Sequence, residues 1–190
     1  PAVDDADIAA ELRAPVDWPG MPGVDLLGPE VATPAGVHES GLDAFEAVRI
    51  ECGWPAMGAE LPASGEPSVI PAEAGRWFVD ASVSFTKGCY TGQELVARVD
   101  SRGSNTPRRL RGIVVGDTVL PPVGAEIVVG DQARGALTSV AESLDLRAPI
   151  ALGFVHRSVE PLTEVVLRWT GVDGTAQEVL AQVRELPLID

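Results

Sequence analysis

The 190-residue chain is poor in the side chains that most often bind metals or cross-link a protein. It contains two cysteines, Cys52 and Cys89, and two histidines, His38 and His156, none of them at the short spacing of a zinc site. Two cysteines are also too few for a disulfide framework, so we expect a reducing compartment. The predicted localisation is the cytoplasm of a bacterium, or the mitochondrial matrix if the source is eukaryotic.

Long hydrophobic runs are absent as well. No stretch approaches the ~18 consecutive apolar residues of a membrane-spanning helix, and the first residues lack the basic and then apolar pattern of a signal peptide. We therefore expect no membrane partner. Apolar residues make up 45% and charged residues 22% of the chain, which is typical of a globular protein.

Cations are scarce, and those present are unevenly placed. The chain has 14 Lys and Arg against 28 Asp and Glu, for a net charge of −14, which argues against broad nucleic-acid binding. Residues 87–111 nevertheless hold six cationic side chains and two carboxylates, and Lys87 is the only lysine in the chain. A basic island in an acidic molecule concentrates anionic ligands, and we favour a small anion there over direct contact with RNA.

The first part of the chain contains sequence patterns of both helices and strands. Residues 6–13 are typical of a helix that ends before Pro15, and Val24–Leu27 predicts a short strand. A second helix is predicted from Ser40 until Gly53. Its apolar face would consist of Leu42, Phe45, Val48 and Ile50.

The middle of the chain contains the second set of elements. Trp77–Phe85 is compatible with a strand or with an irregular apolar segment. Thr91 and Glu94 have the spacing of a capping box and predict a helix that runs to about Arg102.

After Pro107 the pattern changes to short β-branched runs separated by turn residues. Six strands are predicted, at 112–115, 126–129, 136–140, 150–155, 164–169 and 179–183, which favours a small antiparallel barrel or sandwich. We therefore predict an α+β chain with two domains, 1–104 and 105–190.

Cys89 is the strongest candidate for a reactive or metal-binding side chain. It lies just before the predicted helix and two residues after Lys87, so the helix dipole and the ammonium would both stabilise a thiolate. Gly88 and Gly92 permit a tight backbone path around it. A free cysteine is more commonly a small buried hydrophobic residue, and that alternative stays open. A Cys–His hydrolase is disfavoured because no histidine is near in sequence.

The twelve residues Lys87-Gly-Cys-Tyr-Thr-Gly-Gln-Glu-Leu-Val-Ala-Arg98 resemble the signature of the YgfZ family. These are folate-binding proteins of iron–sulfur cluster assembly and repair, related to the glycine-cleavage T protein. Residues 48–55 and 70–75 resemble the family's Leu-Arg-Ile-Glu-x-Gly and Pro-x-Glu-x-Gly pieces. Residues 100–103, 107–110, 137–139 and 150–154 continue the likeness, which extends over about residues 20–185.

The resemblance implies a part of a T-protein-like, ferredoxin-like α+β domain followed by the terminal β-barrel. It implies that the motif cysteine, Cys89, is essential, that Lys87 assists it, and that tetrahydrofolate is the cofactor. Iron–sulfur scaffold or client proteins are the implied partners. A single thiolate cannot hold a cluster alone, so Cys89 as a metal ligand would share a transient cluster with a partner's cysteines. Candidate folate-binding residues are Arg49, Glu51, Trp77, Tyr90, Gln93 and Arg98, although Arg49 and Glu51 could instead form a structural ion pair and Trp77 could belong to the core.

The sequence departs from the related T proteins in two respects. Their catalytic aspartate lies in a long N-terminal segment for which this chain has no room, so we expect either a missing front half or a truncated relative. Aminomethyl-transferring relatives also typically lack the cysteine of the motif. A folate-dependent aminomethyl or one-carbon transferase is therefore the alternative to an accessory protein that has little or no turnover of its own.

Overall fold

The computed structural model describes residues 10–61, 69–101, 103 and 105–189. The elements before residue 105 are the strands β1 (Leu12–Trp18) and β2 (Met21–Leu27) and the helices α1 (Leu42–Cys52), α2 (Pro71–Ala74), α3 (Arg76–Ser82) and α4 (Gln93–Ser101). The elements after it are β3 (Arg108–Val115), β4 (Glu126–Val129), β5 (Gln132–Ser143), β6 (Ala148–His156), β7 (Glu164–Thr170) and β8 (Ala176–Arg184).

The last six strands form a closed barrel in the order β3-β6-β5-β4-β7-β8, with every neighbouring pair antiparallel. Its interior is filled by aliphatic side chains from all six strands and their connections. These include Ile113, Ile127, Leu137, Val155, Leu167 and Val183. The predicted α+β fold with a small antiparallel barrel is confirmed.

Strand β6 is buried on both faces and explains how the helices attach. Ala151 and Val155 point into the barrel, whereas Ile150, Leu152 and Phe154 belong to a second cluster on its outer side. Because successive side chains of a strand alternate between faces, a strand buried on both sides needs a second layer. That layer is formed by the helices.

The second cluster joins residues from both parts of the chain. Ile50 of α1, Ala74 of α2 and Phe78 of α3 pack on the outer face of the barrel at Leu110 and Leu152. Helices and barrel therefore share a core. The proposed division into domains 1–104 and 105–190 stays a prediction.

Helix α1 confirms the predicted helix and its end. Gly53 adopts the left-handed conformation, with φ of 74°, and its amide donates to the carbonyl of Ile50. A Cβ atom at this position would lie 2.8 Å from the Cβ of Leu186, so glycine is required by both backbone and space. The predicted apolar face is only partly buried, because Leu42 and Phe45 are 81% and 49% exposed.

Two predictions for elements before residue 105 are wrong. Leu12 and Arg13 belong not to a helix but to β1, which pairs with β2 in a hairpin, and residues 10 and 11 are not helical either. Residues 6–9 of that predicted helix lie outside the described residues. The hairpin turn contains Gly20, whose φ is 75°. Residues 76–82 form helix α3, not a strand or an irregular segment.

Candidate functional site

Cys89 lies in the irregular segment between α3 and α4, and its thiol is free and exposed. Helix α4 begins at Gln93 and ends at Ser101, close to the predicted bounds. The predicted capping box is wrong in its residues, because the side chains of Thr91 and Glu94 make no hydrogen bond to each other's amides in the described structure. Instead the amide of Tyr90 donates to Oε1 of Gln93 at 3.1 Å. The chain is thereby held in a turn directly after the cysteine.

An open pocket of about 470 Å³ adjoins Cys89. Its lining residues are Cys89, Tyr90, Gly92, Gln93, Glu94, Leu95 and Arg98. The structure thus brings together Cys89, Tyr90, Gln93 and Arg98, four of the candidate residues from the motif. Arg98 provides a cation and Gln93 an amide at a cavity that also contains the thiol.

Lys87 lies beside this pocket. Its Nζ atom is 5.0 Å from the centre of the Tyr90 ring, which is a cation–π contact. The backbone amide of Lys87 donates to Oγ of Ser84 at 3.2 Å. The only lysine of the chain is therefore held next to a ring that lines the thiol's pocket.

Helix α4 is attached to the protein by few contacts. None of its residues is buried. Val96 and Val99 face Ile70 and Val79 across a narrow gap, and Nη1 of Arg76 contacts Oδ1 of Asp100 at 2.6 Å. The motif segment is therefore a surface feature rather than part of the core.

Arg49, in contrast, lies inside and is 3% exposed. Its Nη1 donates to Glu60 at 3.0 Å and to the Trp54 carbonyl at 2.7 Å. Its Nη2 donates to Ser139 and Glu46, both at 2.7 Å, and its Nε donates to Glu46. All N–H donors of the guanidinium are thus used within the protein. A direct contact between Arg49 and folate stays a prediction.

Glu60 completes this buried network. It is 0% exposed and accepts hydrogen bonds from the Ala56 amide at 2.9 Å and from the hydroxyls of Thr138 and Ser139 at 2.6 Å. Sequence reasoning missed Glu60, Thr138 and Ser139. The partners lie far apart in the chain, in a segment without regular period and in a strand, so no local pattern could have paired them.

Glu51 is also buried, at 4% exposure, and accepts a hydrogen bond from the Ser143 hydroxyl on β5. It does not pair with Arg49, so the structural ion pair between these two residues is absent. The adjacent Cys52 is fully buried. Burial raises the pKa of the Cys52 thiol, and the charge of Glu51 raises it further.

Trp77 belongs to a cluster of aromatic rings. Its ring centre is 5.5 Å from those of Trp54 and Phe78, and Trp54 stacks on Trp18 at 5.8 Å. Such spacings are favourable for aromatic pairs. The ring is half-buried, and its role in binding a pterin stays a prediction.

A second ion pair joins the helices to the barrel. Nε of Arg108 on β3 contacts Oε1 of Glu73 on α2 at 2.8 Å, and the Glu73 side chain is 6% exposed. Glu73 belongs to the segment 70–75 that resembles the family's Pro-x-Glu-x-Gly piece. Its carboxylate is thus used to dock a helix onto the barrel.

The described residues contain no group of three or more His, Cys, Asp or Glu side chains arranged to hold a metal ion. They also contain no helix with the length and apolar character needed to cross a membrane.

Comparisons with known proteins connect the chain to the T proteins. Residues 108–190 match the family model described as the glycine cleavage T-protein C-terminal barrel domain. An aminomethyltransferase of Streptomyces avermitilis is 34% identical over 128 residues, which are 66% of this chain and 32% of that protein. The tRNA-modifying protein YgfZ of Yersinia pestis is 37% identical over 81 residues, which are 43% of this chain and 23% of that protein.

The glycine cleavage system aminomethyltransferase T from Bartonella henselae has a similar fold. Its crystal structure matches 78% of this chain and 39% of its own, with a TM-score of 0.58 and 21% identity. The chain spans about a third of the length of the Streptomyces aminomethyltransferase. The chain therefore matches the T-protein barrel domain and is homologous to aminomethyltransferases, while the narrower likeness to YgfZ rests on less than half of its length.

Proposed function

We propose that the chain is part of a folate-binding accessory protein that supports iron–sulfur cluster assembly or repair through the thiolate of Cys89. An effect on tRNA modification would follow through the iron–sulfur enzymes that modify tRNA. The exposed thiol beside an open pocket is the observation that carries this proposal. The similarity to a relative named as a tRNA-modifying protein supports this proposal.

The chemistry of the thiol favours a shared cluster. Thiolate is the usual protein ligand of iron–sulfur clusters, and a cluster needs several of them. The only other cysteine, Cys52, is buried, and the described residues offer no further set of metal ligands. A cluster would therefore be held between Cys89 and cysteines of a scaffold or client protein. The exposure of the motif segment permits such an approach.

Tetrahydrofolate would bind at the pocket next to Cys89. Arg98 and Lys87 supply cations for the glutamate carboxylates of the ligand, Gln93 supplies an amide, and Tyr90 supplies a ring face for stacking. Arg49 and Glu51 would act by holding α1 against the barrel, because their polar atoms are engaged inside the protein. Trp77 remains a candidate for stacking on the pterin.

A cell-based test separates Cys89 from the rest of the chain. The full-length gene, with Cys89→Ser or with Cys52→Ala as the matched thiol control, is returned to a strain from which it was deleted. The activity of iron–sulfur enzymes and the level of the protein are then measured. We expect Cys89→Ser to accumulate normally without restoring activity, and Cys52→Ala to restore it. Full restoration of iron–sulfur enzyme activity by Cys89→Ser would contradict the proposal.

A folate-dependent aminomethyl or one-carbon transferase is the second candidate, favoured by the names of the relatives. It predicts that the purified full-length protein converts tetrahydrofolate with an aminomethyl donor and that Cys89→Ser retains this turnover. Turnover that does not depend on Cys89 would favour the transferase. Tetrahydrofolate binding without turnover would favour the accessory protein.

A further inference from the structure

A second open cavity, of about 580 Å³, lies on the outside of the barrel. It is formed where the strands β3, β5 and β6 run side by side, away from the turn that joins β5 to β6. Its lining residues are Pro107, Arg108, Ala133, Arg134, Gly135, Ala136, Thr138, Phe154 and His156. None of them lines the pocket of Cys89, and none is acidic, in a chain whose net charge is −14.

The backbone of β5 is shaped to present Arg134 at this cavity. Ile127 of β4 pairs with Gly135, and the next residue, Val128, pairs with Ala133. Arg134 is thus the extra residue of a β-bulge. A bulge redirects the side chain that it contains, and the guanidinium of Arg134 has no hydrogen bond or ion pair with any residue that the structure describes.

Gly135 is required by this arrangement. A Cβ atom there would lie 2.1 Å from the carbonyl oxygen of Phe154 on β6, far inside the contact distance. The absence of a side chain at Gly135 lets β5 approach β6 next to the bulge. Arg134 and His156 are therefore brought to the same end of two neighbouring strands.

His156 adds an imidazole ring to the lining of the cavity. Its Nδ1 accepts the backbone amide of Ser158 at 3.2 Å, and the Ser158 hydroxyl lies 2.8 Å from the same nitrogen. Because a backbone amide can only donate, this contact favours the neutral tautomer that carries its proton on Nε2. The ring thus offers an N–H donor at the cavity.

Two carboxylates that bond to residues lining the cavity are neutralised from inside the protein. Glu73 pairs with Arg108. Glu60, which is bonded to Thr138, pairs with Arg49. Neither of these two carboxylates pairs with Arg134. Phe154 and the alanines supply an apolar wall beside it.

We propose that this cavity binds an oxyanion group, a phosphate or a carboxylate, of a small ligand with an apolar body. Arg134 binds the anion, Nε2–H of His156 donates to it, and the Arg108–Glu73 pair forms the neutral side of the site. Charge-assisted hydrogen bonds from a guanidinium are the strongest that such a site offers. The site is independent of Cys89 and of the function proposed above.

Titrations followed by NMR test the proposal on the full chain at low salt. Inorganic pyrophosphate and glutarate are the two probes, because they distinguish a phosphate from a carboxylate source. Arg134→Gln removes the charge at the bulge. Arg147→Gln is the matched control, since Arg147 is an exposed arginine in the turn at the opposite end of the same two strands. Each variant removes one positive charge, so the two variants have the same net charge.

We expect at least one probe to shift the amide signal of Gly135 and the ring signals of His156 in a saturable manner. Arg134→Gln should weaken this binding by about tenfold or more, while Arg147→Gln leaves it unchanged. The proposal is overturned if neither probe shifts these signals, or if both variants weaken the binding equally. A spectrum of Arg134→Gln that is otherwise unchanged excludes unfolding as the cause of a loss.

Discussion

The buried network around Arg49 makes the sharpest prediction about stability. Replacing Arg49 by Met keeps a long side chain in place but removes the charge and all of its hydrogen bonds. Glu60 would then keep its three other donors, from Ala56, Thr138 and Ser139. It would nevertheless be a fully buried carboxylate without a cation.

Removing one partner of a buried ion pair costs about 3–5 kcal/mol, because the remaining charge stays in a poorly solvated place. We expect Arg49→Met to lower the free energy of unfolding by this amount. The loss would be a large fraction of the ~5–15 kcal/mol that is usual for a folded protein. Glu46→Gln removes the other carboxylate that Arg49 contacts, which is 43% exposed, and should cost only about 0–1 kcal/mol.

Urea unfolding, monitored by circular dichroism, measures Arg49→Met, Glu46→Gln, Glu60→Met and the double variant Arg49→Met/Glu60→Met. The double variant should lose less than the sum of its two single variants, because no lone charge remains buried. A cost below about 1 kcal/mol for Arg49→Met, with an unchanged urea slope, would refute the reasoning. A folded Arg49→Met protein that no longer binds tetrahydrofolate would indicate that the folate site depends on Arg49, through direct contact or through the position of α1.

Two further predictions concern the barrel and the buried thiol. Gly135→Ala should destabilise the barrel measurably in the same urea assay, because the new Cβ would lie 2.1 Å from the Phe154 carbonyl oxygen; an unchanged midpoint would contradict the close strand approach. Cys52 has a pKa above its ordinary value of 9.0 in the folded protein, so the unfolded state loses its proton first. Stability should therefore fall as the pH rises above about 9, and Cys52→Ala should show a smaller fall; identical pH profiles for the two proteins would contradict this.

The barrel could be predicted from the sequence because each strand carries its own signal. Strands of β-branched residues separated by turns favour a small antiparallel barrel or sandwich. The closed order could not be predicted from them, because β3 pairs with β6 and β4 pairs with β7 across intervening strands. The hairpin of β1 and β2 could not be predicted in this way. Residues 6–13 include good helix formers, but Leu12 and Arg13 pair with Leu27 and Leu26, and this pairing outweighs the local preference.

Helix α3 is a second element that could not be predicted from its local sequence. Trp77, Phe78 and Val79 are residues that favour strands, yet they lie in a helix. Phe78 and Val79 are buried by it, while Trp77 meets the ring of Trp54. Packing in three dimensions selected the helix. The same holds for the ion pairs of Arg49 and Arg108, whose partners lie 11 and 35 residues away in the chain.

The residues that carry the family resemblance fall into two physical classes. In the flanking pieces, Arg49, Glu51 and Glu73 are buried and hold α1 and α2 against the barrel. In the twelve-residue motif, Cys89 and Arg98 are exposed beside a pocket. Buried docking contacts serve any protein with this arrangement of helices and barrel, whatever its reaction. They therefore do not discriminate between a one-carbon transferase and an iron–sulfur accessory protein. Of these residues, the exposed thiol is the one whose chemistry distinguishes the two functions.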